Sequence, residues 1–210
     1  MILAIDTSAA QCAVALAGAG EPVAERLAME RGHAEHLFPM IESVLATAGC
    51  HYDDLSRIAV CTGPGSFTGV RIGVAAARGL ALGRGIPVIG ISRFEVLAAE
   101  TGWPVAICLA GRGGAVYLQV FGADGTALAP PRMVEGRALA EAVPPGCDRA
   151  AGDAAHLLTG AAALLPQGLP DPAVLARLAA DRAPGPLPAP LYLRGADAEL
   201  PREGPPALLD

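Results

Sequence analysis

Three short groups of residues carry the side chains with which this 210-residue chain could do chemistry. The first is Asp6-Thr7-Ser8, at the end of an apolar run. A carboxylate beside two hydroxyls at a strand end can hold a metal ion and receive phosphate through hydroxyl and backbone N–H groups. The same three residues serve equally as a turn or cap. The second group is Cys61-Thr62-Gly63-Pro64-Gly65-Ser66, running on through Phe67-Thr68-Gly69-Val70-Arg71-Ile72-Gly73. Glycines that tolerate positive φ lie there between an apolar run and a helical segment, and unpaired N–H groups in such a place attract phosphate or carboxylate. Gly63, Gly65 and Ser66 are its candidate phosphate-loop residues. The competing reading is packing, because Gly69, Gly73 and Ala77 recur one helical turn apart and let that helix lie close to another backbone. Both readings stand at this level. The third group is His33, Glu35 and His36, with His51 further along. Positions i and i+3 share a helix face, but there is no HExxH pattern and no third ligand in view, so no metal site is assigned. Ser66 stands in Gly-Ser-Phe, not in G-x-S-x-G, and is read as a helix cap, so no catalytic residue is assigned.

The elements that must position these groups follow from periodicity. Met1 to Ile5, Gln11 to Ala17 and Pro22 to Met29 read as three strands of an antiparallel meander, with a turn at residues 18–21. A helix from His33 places Leu37, Ile41, Val44 and Leu45 at spacings of three and four, and Gly49 ends it. A strand over residues 57–61, a helix from about Thr68 to Gly83, and a strand from Pro87 to Ile91 come next. Ser92 and Glu95 have the spacing of a capping box, which starts a helix ending near Gly102. A meander followed by alternation of helix and strand predicts an α/β fold with a mixed sheet. Beyond residue 102 the elements are sparser. Strands are expected at Val105–Leu109 and Ala115–Phe121, with a third extended run over residues 127–134. Helices are expected over residues 136–143 and 153–165, and from Pro172 to Ala180 behind an Asp171 N-cap. The chain thus divides into residues 1–102 and a smaller, reduced copy over 103–210. The proline-rich end from Ala183 reads as an arm packed on the body and then a loose tail.

Composition narrows the function classes. Hydrophobic residues make up 52% and charged residues 17%, the balance of a globular protein with an ample core. The net charge is −6 and there is no lysine, so a free-standing nucleic-acid binder is disfavoured. Any contact with nucleic acid would come mainly through a partner. Five scattered cysteines without a CxxC pair fit reduced thiols in the cytoplasm. No window has the apolar length of a membrane span, and no export signal is read at the start.

The segment Gly63-Pro64-Gly65-Ser66-Phe67-Thr68-Gly69-Val70-Arg71-Ile72-Gly73 resembles the signature of the TsaB (YeaZ) family, a small partner subunit in bacterial synthesis of threonylcarbamoyladenosine (t6A) on tRNA. Ile2-Leu3-Ala4-Ile5-Asp6-Thr7-Ser8, His36-Leu37-Phe38-Pro39-Met40-Ile41 and Pro190-Leu191-Tyr192-Leu193-Arg194 are similar to the same family, in the same order along the chain. The resemblance implies two ribonuclease-H-like halves of the actin, Hsp70 and sugar-kinase superfamily, the second reduced. It implies a non-catalytic relative of the TsaD/Kae1 glycoprotease-like proteins, required for modifying adenosine 37 in tRNAs that read codons beginning with A. Its partners would be a TsaD-like catalytic subunit and a TsaE-like ATPase, with a homodimer when the chain is alone and no membrane contact. No resident cofactor is implied, with weak ATP or ADP binding in the complex left open. The family pairs two helices of each subunit in a seam, and His36, Leu37, Met40, Val44, Val70, Gly73, Val74 and Ala77 are its expected residues here. The family's aspartate-alanine-arginine stretch, with a glutamate before valine-tyrosine, corresponds here to Ala110-Gly111-Arg112-Gly113-Gly114-Ala115-Val116-Tyr117. Both carboxylates are missing. That departure weighs against the alternative, a stand-alone ATP-binding ATPase or small-molecule kinase using Asp6 and the Gly63–Gly65 turn.

Overall fold

Alternation along three strands decides the architecture of the first half. In a computed structural model, which describes residues 1–18, 20–164 and 168–193, strands β1 (Ile2–Asp6), β2 (Gln11–Ala17) and β4 (Arg57–Cys61) send large side chains to one face of a sheet. Leu3, Ile5, Val14, Leu16, Ile58 and Val60 meet the helices α1 (His33–Thr47) and α2 (Phe67–Arg84) there. The intervening residues Ala4, Ala15 and Ala59 face the other side, where small side chains admit the close approach of helix α5 (Pro172–Ala180) through Leu175, Ala176 and Ala179. With β3 (Val23–Ala28) and β5 (Val88–Ile91) the sheet has the order β3-β2-β1-β4-β5. β1 is antiparallel to β2 and parallel to β4, as a meander followed by crossover helices requires.

The second sheet repeats that plan. Strands β6 (Val105–Ala110), β7 (Ala115–Phe121), β8 (Arg132–Glu135), β9 (Arg149–Ala151) and β10 (Ala162–Leu164) take the order β10-β9-β6-β7-β8, the mirror listing of the first sheet. The molecule is therefore α/β with two ribonuclease-H-like halves. In the second half the crossover helices have shrunk to the four-residue α4 (Leu139–Ala142) and to a 3-10 turn at Ala155–Leu157. Helix α3 (Arg93–Thr101), which follows the first sheet in sequence, packs Phe94, Leu97 and Ala98 on the second sheet. Helix α5 does the reverse. The halves are thus interlocked by an exchange of helices, and α3 and α5 touch between them.

Most sequence-based boundaries hold within two residues, and the capping box of Ser92 and Glu95 and the Asp171 N-cap are present. One helix does not form. Residues 153–165 were expected as a single helix, but within the described residues they make the short 3-10 turn and then strand β10, and Gly160 between them has φ of 87°. Strands β9 and β10, three residues each, are additions to the sequence reading. Residues 183–193 run as an arm that touches both halves, with Pro188 against Gly90, the Leu191 N–H donating to the Thr62 carbonyl at 2.8 Å, and Leu191 and Leu193 packed on the cluster of the second sheet. Ala19, Leu165, and Arg194 with the expected tail beyond it lie outside the described residues. Among the described residues no helix is long and apolar enough to cross a membrane.

Candidate functional site

The Asp6 carboxylate is turned inward. It is fully buried, and its two oxygens accept the Ser8 N–H at 2.9 Å, the Ser8 hydroxyl at 2.6 Å and the Gln11 amide at 2.9 Å. Gln11 also donates to the Pro170 carbonyl at 2.8 Å, tying the turn to the start of α5. A buried carboxylate needs such partners to offset its lost hydration, and here they are all internal. The Thr7 hydroxyl is likewise spent, donating to the Gly69 carbonyl at 2.7 Å. Asp6, Thr7 and Ser8 form a closed turn.

The glycine-laced segment closes over that turn. A Cβ on Gly65 would lie 1.9 Å from the Ser8 carbonyl oxygen, one on Gly69 would lie 2.1 Å from the Thr7 oxygen, and one on Gly73 would lie 2.4 Å from the Thr7 hydroxyl. The Ser66 N–H donates to the Ser8 carbonyl at 2.8 Å, and the Ser66 hydroxyl caps α2 by accepting from Gly69 at 3.1 Å. Of the two readings open at the level of sequence, close backbone packing describes Gly65, Gly69 and Gly73. Gly63, at φ of 86°, supplies the turn.

The expected seam residues need a correction. Leu37, Met40, Val44, Val70, Gly73, Val74 and Ala77 are buried in the chain's own core, and only His36 among the eight is exposed. A helix lying on a sheet gives its apolar stripe to the sheet, and here that stripe includes the glycine row as well as the valine row. A charged residue at Val74 or Ala77 would therefore strike the core and not a docking surface. The outward face belongs to other residues. Phe38 on α1 is 44% exposed and Leu82 on α2 is 86% exposed, with Ala75 and Gly79 beside Leu82 on the same face. The exposed charges differ in sign, with Glu35 and Glu42 on α1 and Arg71 and Arg78 on α2. His33 and His36 do not share an accessible face, since His33 is buried with its Nε2 unpartnered and His36 is turned outward toward the Gly32 carbonyl. Among the described residues no three metal-ligating side chains converge.

Two groups escaped the sequence reading. At the start of α2, the Arg71 guanidinium lies 3.6 Å over the Phe67 ring and donates through Nε to the Tyr192 hydroxyl at 2.8 Å, clasping the arm. Between the halves, Arg93 at the start of α3 is 5% exposed and pairs with Asp153 at 3.1 Å. The other Asp153 oxygen accepts the Ala110 N–H at 2.6 Å, so a carboxylate does reach the end of β6, but from a different loop. Neither group announces itself locally, because each joins residues far apart in the chain. Burial pushes the Cys12 thiol up to about 11 and the Cys108 thiol up to about 12, and raises Cys61 as well, which makes these thiols inert packing groups.

Comparison with known proteins agrees with the two-sheet fold. A family model described as TsaD, tRNA N6-adenosine threonylcarbamoyltransferase, matches residues 27–156. The tRNA threonylcarbamoyladenosine biosynthesis protein TsaB of Escherichia coli (strain K12) is 44% identical over 97 residues, 46% of this chain and 42% of that protein. The aligned stretch is likewise under half the length of the next three curated TsaB relatives. An uncharacterized protein of Mycobacterium bovis is 32% identical over 203 residues, 94% of this chain and 93% of that one. A crystal structure from Pseudomonas aeruginosa, described as similar to peptidase YeaZ, superposes with a TM-score of 0.82 at 28% identity, covering 92% of this chain and 99% of the other.

Proposed function

Since the chain belongs to the TsaB (YeaZ) family, we propose that it takes part in t6A synthesis on tRNA as a non-catalytic subunit that binds a TsaD-like catalytic partner. The observation that carries this reading is the pair of long helices α1 and α2. Each spends one face on the sheet and leaves a second face in solvent, with Leu82 86% exposed and Phe38 44% exposed. Apolar side chains exposed on a helix pair are worth burying against another helix pair. Opposite charges on the two faces, Glu35 and Glu42 against Arg71 and Arg78, favour a crosswise arrangement in which α1 of one subunit meets the α2-type helix of the other. The same complementarity serves a homodimer of the isolated chain. A TsaE-like ATPase joins the assembled pair, and tRNA contacts it mainly through the partner, in keeping with a net charge of −6.

A non-catalytic role without a resident cofactor is supported by the closed Asp6 turn. Phosphoryl transfer needs a carboxylate or hydroxyl free to face the ligand, and the Asp6 and Thr7 side chains are committed to internal hydrogen bonds. The test has two arms. Co-expression with a TsaD-like subunit followed by size-exclusion chromatography should give a complex that Leu82→Glu dissolves while leaving the single chain folded; an intact complex would overturn the assignment of the helix face. Calorimetric titration of the isolated chain with Mg-ATP should show no micromolar binding, whereas binding and turnover lost on Asp6→Ala would favour the stand-alone enzyme.

A further inference from the structure

On the face of the second sheet that meets α3 and the arm, one strand position breaks the apolar pattern. The register of β7 sets Gln119 opposite Ile107 and, by alternation, in the row of Tyr117 and Phe121, which pack with Phe94, Leu97 and Leu191. Gln119 is 9% exposed. Its Nε2 donates to the Ala129 carbonyl at 3.4 Å, and among the described residues its Oε1 accepts nothing. An amide sunk this deep with capacity unused lowers stability and needs a reason. Beside it opens a cleft of about 560 Å³, walled by Trp103, Phe121, Leu178 and Leu191. The Gly125 backbone lies against the Trp103 indole, which is still 43% exposed. Other polar side chains of the wall are occupied. Glu95 pairs with Arg182 at 2.7 Å and takes the Ser92 hydroxyl on its other oxygen, and the Thr62 hydroxyl donates to the Ile91 carbonyl. Among the described residues the cleft thus has no unpaired charge, and none of α1 or α2 lines it. It lies at the start of β6, the other end of that strand from Ala110.

We propose that this cleft binds a small uncharged aromatic lactam, a flat ring whose N–H stands beside its C=O. Gln119 offers a free acceptor and a second N–H on one planar group, and a cyclic amide returns the complementary pair. Trp103 and Phe121 supply the aromatic surface for the ring, and Leu178 and Leu191 supply the aliphatic wall. A charged ligand would give up its hydration there without gaining a counter-ion. A few polar groups converging in an apolar cleft of this size suit one small molecule. The inference stands apart from the docking of a partner on α1 and α2.

The test uses the full chain with isoquinolone as the lactam probe. Its N-methyl derivative, which keeps the ring and carbonyl but lacks the N–H, is the control. Calorimetry on the wild type should show saturable binding of the lactam, and binding of the N-methyl compound weaker by about tenfold or more. Gln119→Met keeps a side chain of similar length without the amide. It should lose the lactam's advantage while melting at or above the wild-type temperature, because an apolar group replaces one left partly unpaired. Trp103→Leu should weaken both compounds alike. Should Gln119→Met fail to fold, the two-compound comparison on the wild type still decides. No saturable lactam binding, equal affinity for the two compounds, or undiminished lactam binding by folded Gln119→Met would each overturn the proposal. Binding seen only after deletion of residues 194–210 would make the chain's own end the occupant and overturn it as well.

Discussion

The sheet of β1–β5 and the sheet of β6–β10 share one strand order but carry different amounts of helix. Between β3 and β5 the first half has helices of 15 and 18 residues. Between β8 and β10 the second half manages with a four-residue helix and a 3-10 turn. The reduced half still buries Ala106, Cys108, Val116 and Leu118 completely or nearly so. Covering a sheet of this width therefore does not demand helices as long as α1 and α2. The outer faces of α1 and α2 leave Phe38, Ala75 and Leu82 in solvent, and it is the length of these helices that distinguishes the first half from the second.

The sharpest break of that comparison comes from glycine. Gly69→Ala puts a Cβ against the Thr7 carbonyl and should cost ~3 kcal/mol or more, read as a lower urea midpoint. On the outward face of the same helix, Gly79 has nothing within 4 Å of an added Cβ, so Gly79→Ala should stabilise the chain by about 1 kcal/mol. If the two substitutions behave alike, the inward and outward faces have been misassigned.

A second test concerns the helix exchange. Leu175 of α5 is fully buried on the first sheet, and Leu175→Ala should cost about 2–5 kcal/mol. Because α3 and α5 each complete the other half, the loss should lower one common transition. The single Trp103, just before β6, reports the second half by fluorescence, and far-UV circular dichroism reports the whole. Coincident curves are expected, and two separated transitions would show that the halves unfold independently.

A smaller effect is expected at Glu100, where burial raises the carboxyl from its ordinary 4.5 to about 7, with the Asp171 and Asp6 charges adding to the rise and Arg26 and the Asp171 N–H opposing it. The folded protein then holds a proton that the unfolded chain has released. This group's favourable contribution is complete below about 4.5 and is lost as pH rises through about 7. Glu100→Gln keeps an acceptor for the Asp171 N–H, which Glu100 receives at 2.7 Å. It should therefore be more stable than wild type at pH 8 by roughly 1 kcal/mol after allowance for solvent screening, with the gap closing near pH 5. A constant gap across that range would remove Glu100 as its source.

Least of all should change at Leu82. Leu82→Glu on an 86% exposed position should alter stability by less than about 0.5 kcal/mol, while Val74→Asp, two turns earlier and 4% exposed, should unfold the chain. The pair separates docking from folding on a single helix.

Much of this was legible in the residues. Strands β2, β4 and β7 coincide with the runs read from alternation, and the caps at Ser66, Ser92 and Asp171 were visible as residue types at fixed offsets. Close packing of Gly69, Gly73 and Ala77 was one of two readings, and residue types could not choose between them. Strands β9 and β10 escaped because three residues are too few to display a period of two.

By itself, then, the sequence determined what is periodic or local: where helices and strands begin, how they are capped, and the family whose signature the chain carries. Only the tertiary structure decided which stripe of α2 faces inward, that α3 and α5 trade sheets, that Asp6 is closed off, and that Asp153 reaches Arg93 across 60 positions. The physical reason is that a hydrophobic stripe specifies that it must be buried without specifying against what. Hydrogen bonds and ion pairs between distant residues leave no trace in the spacing of either partner.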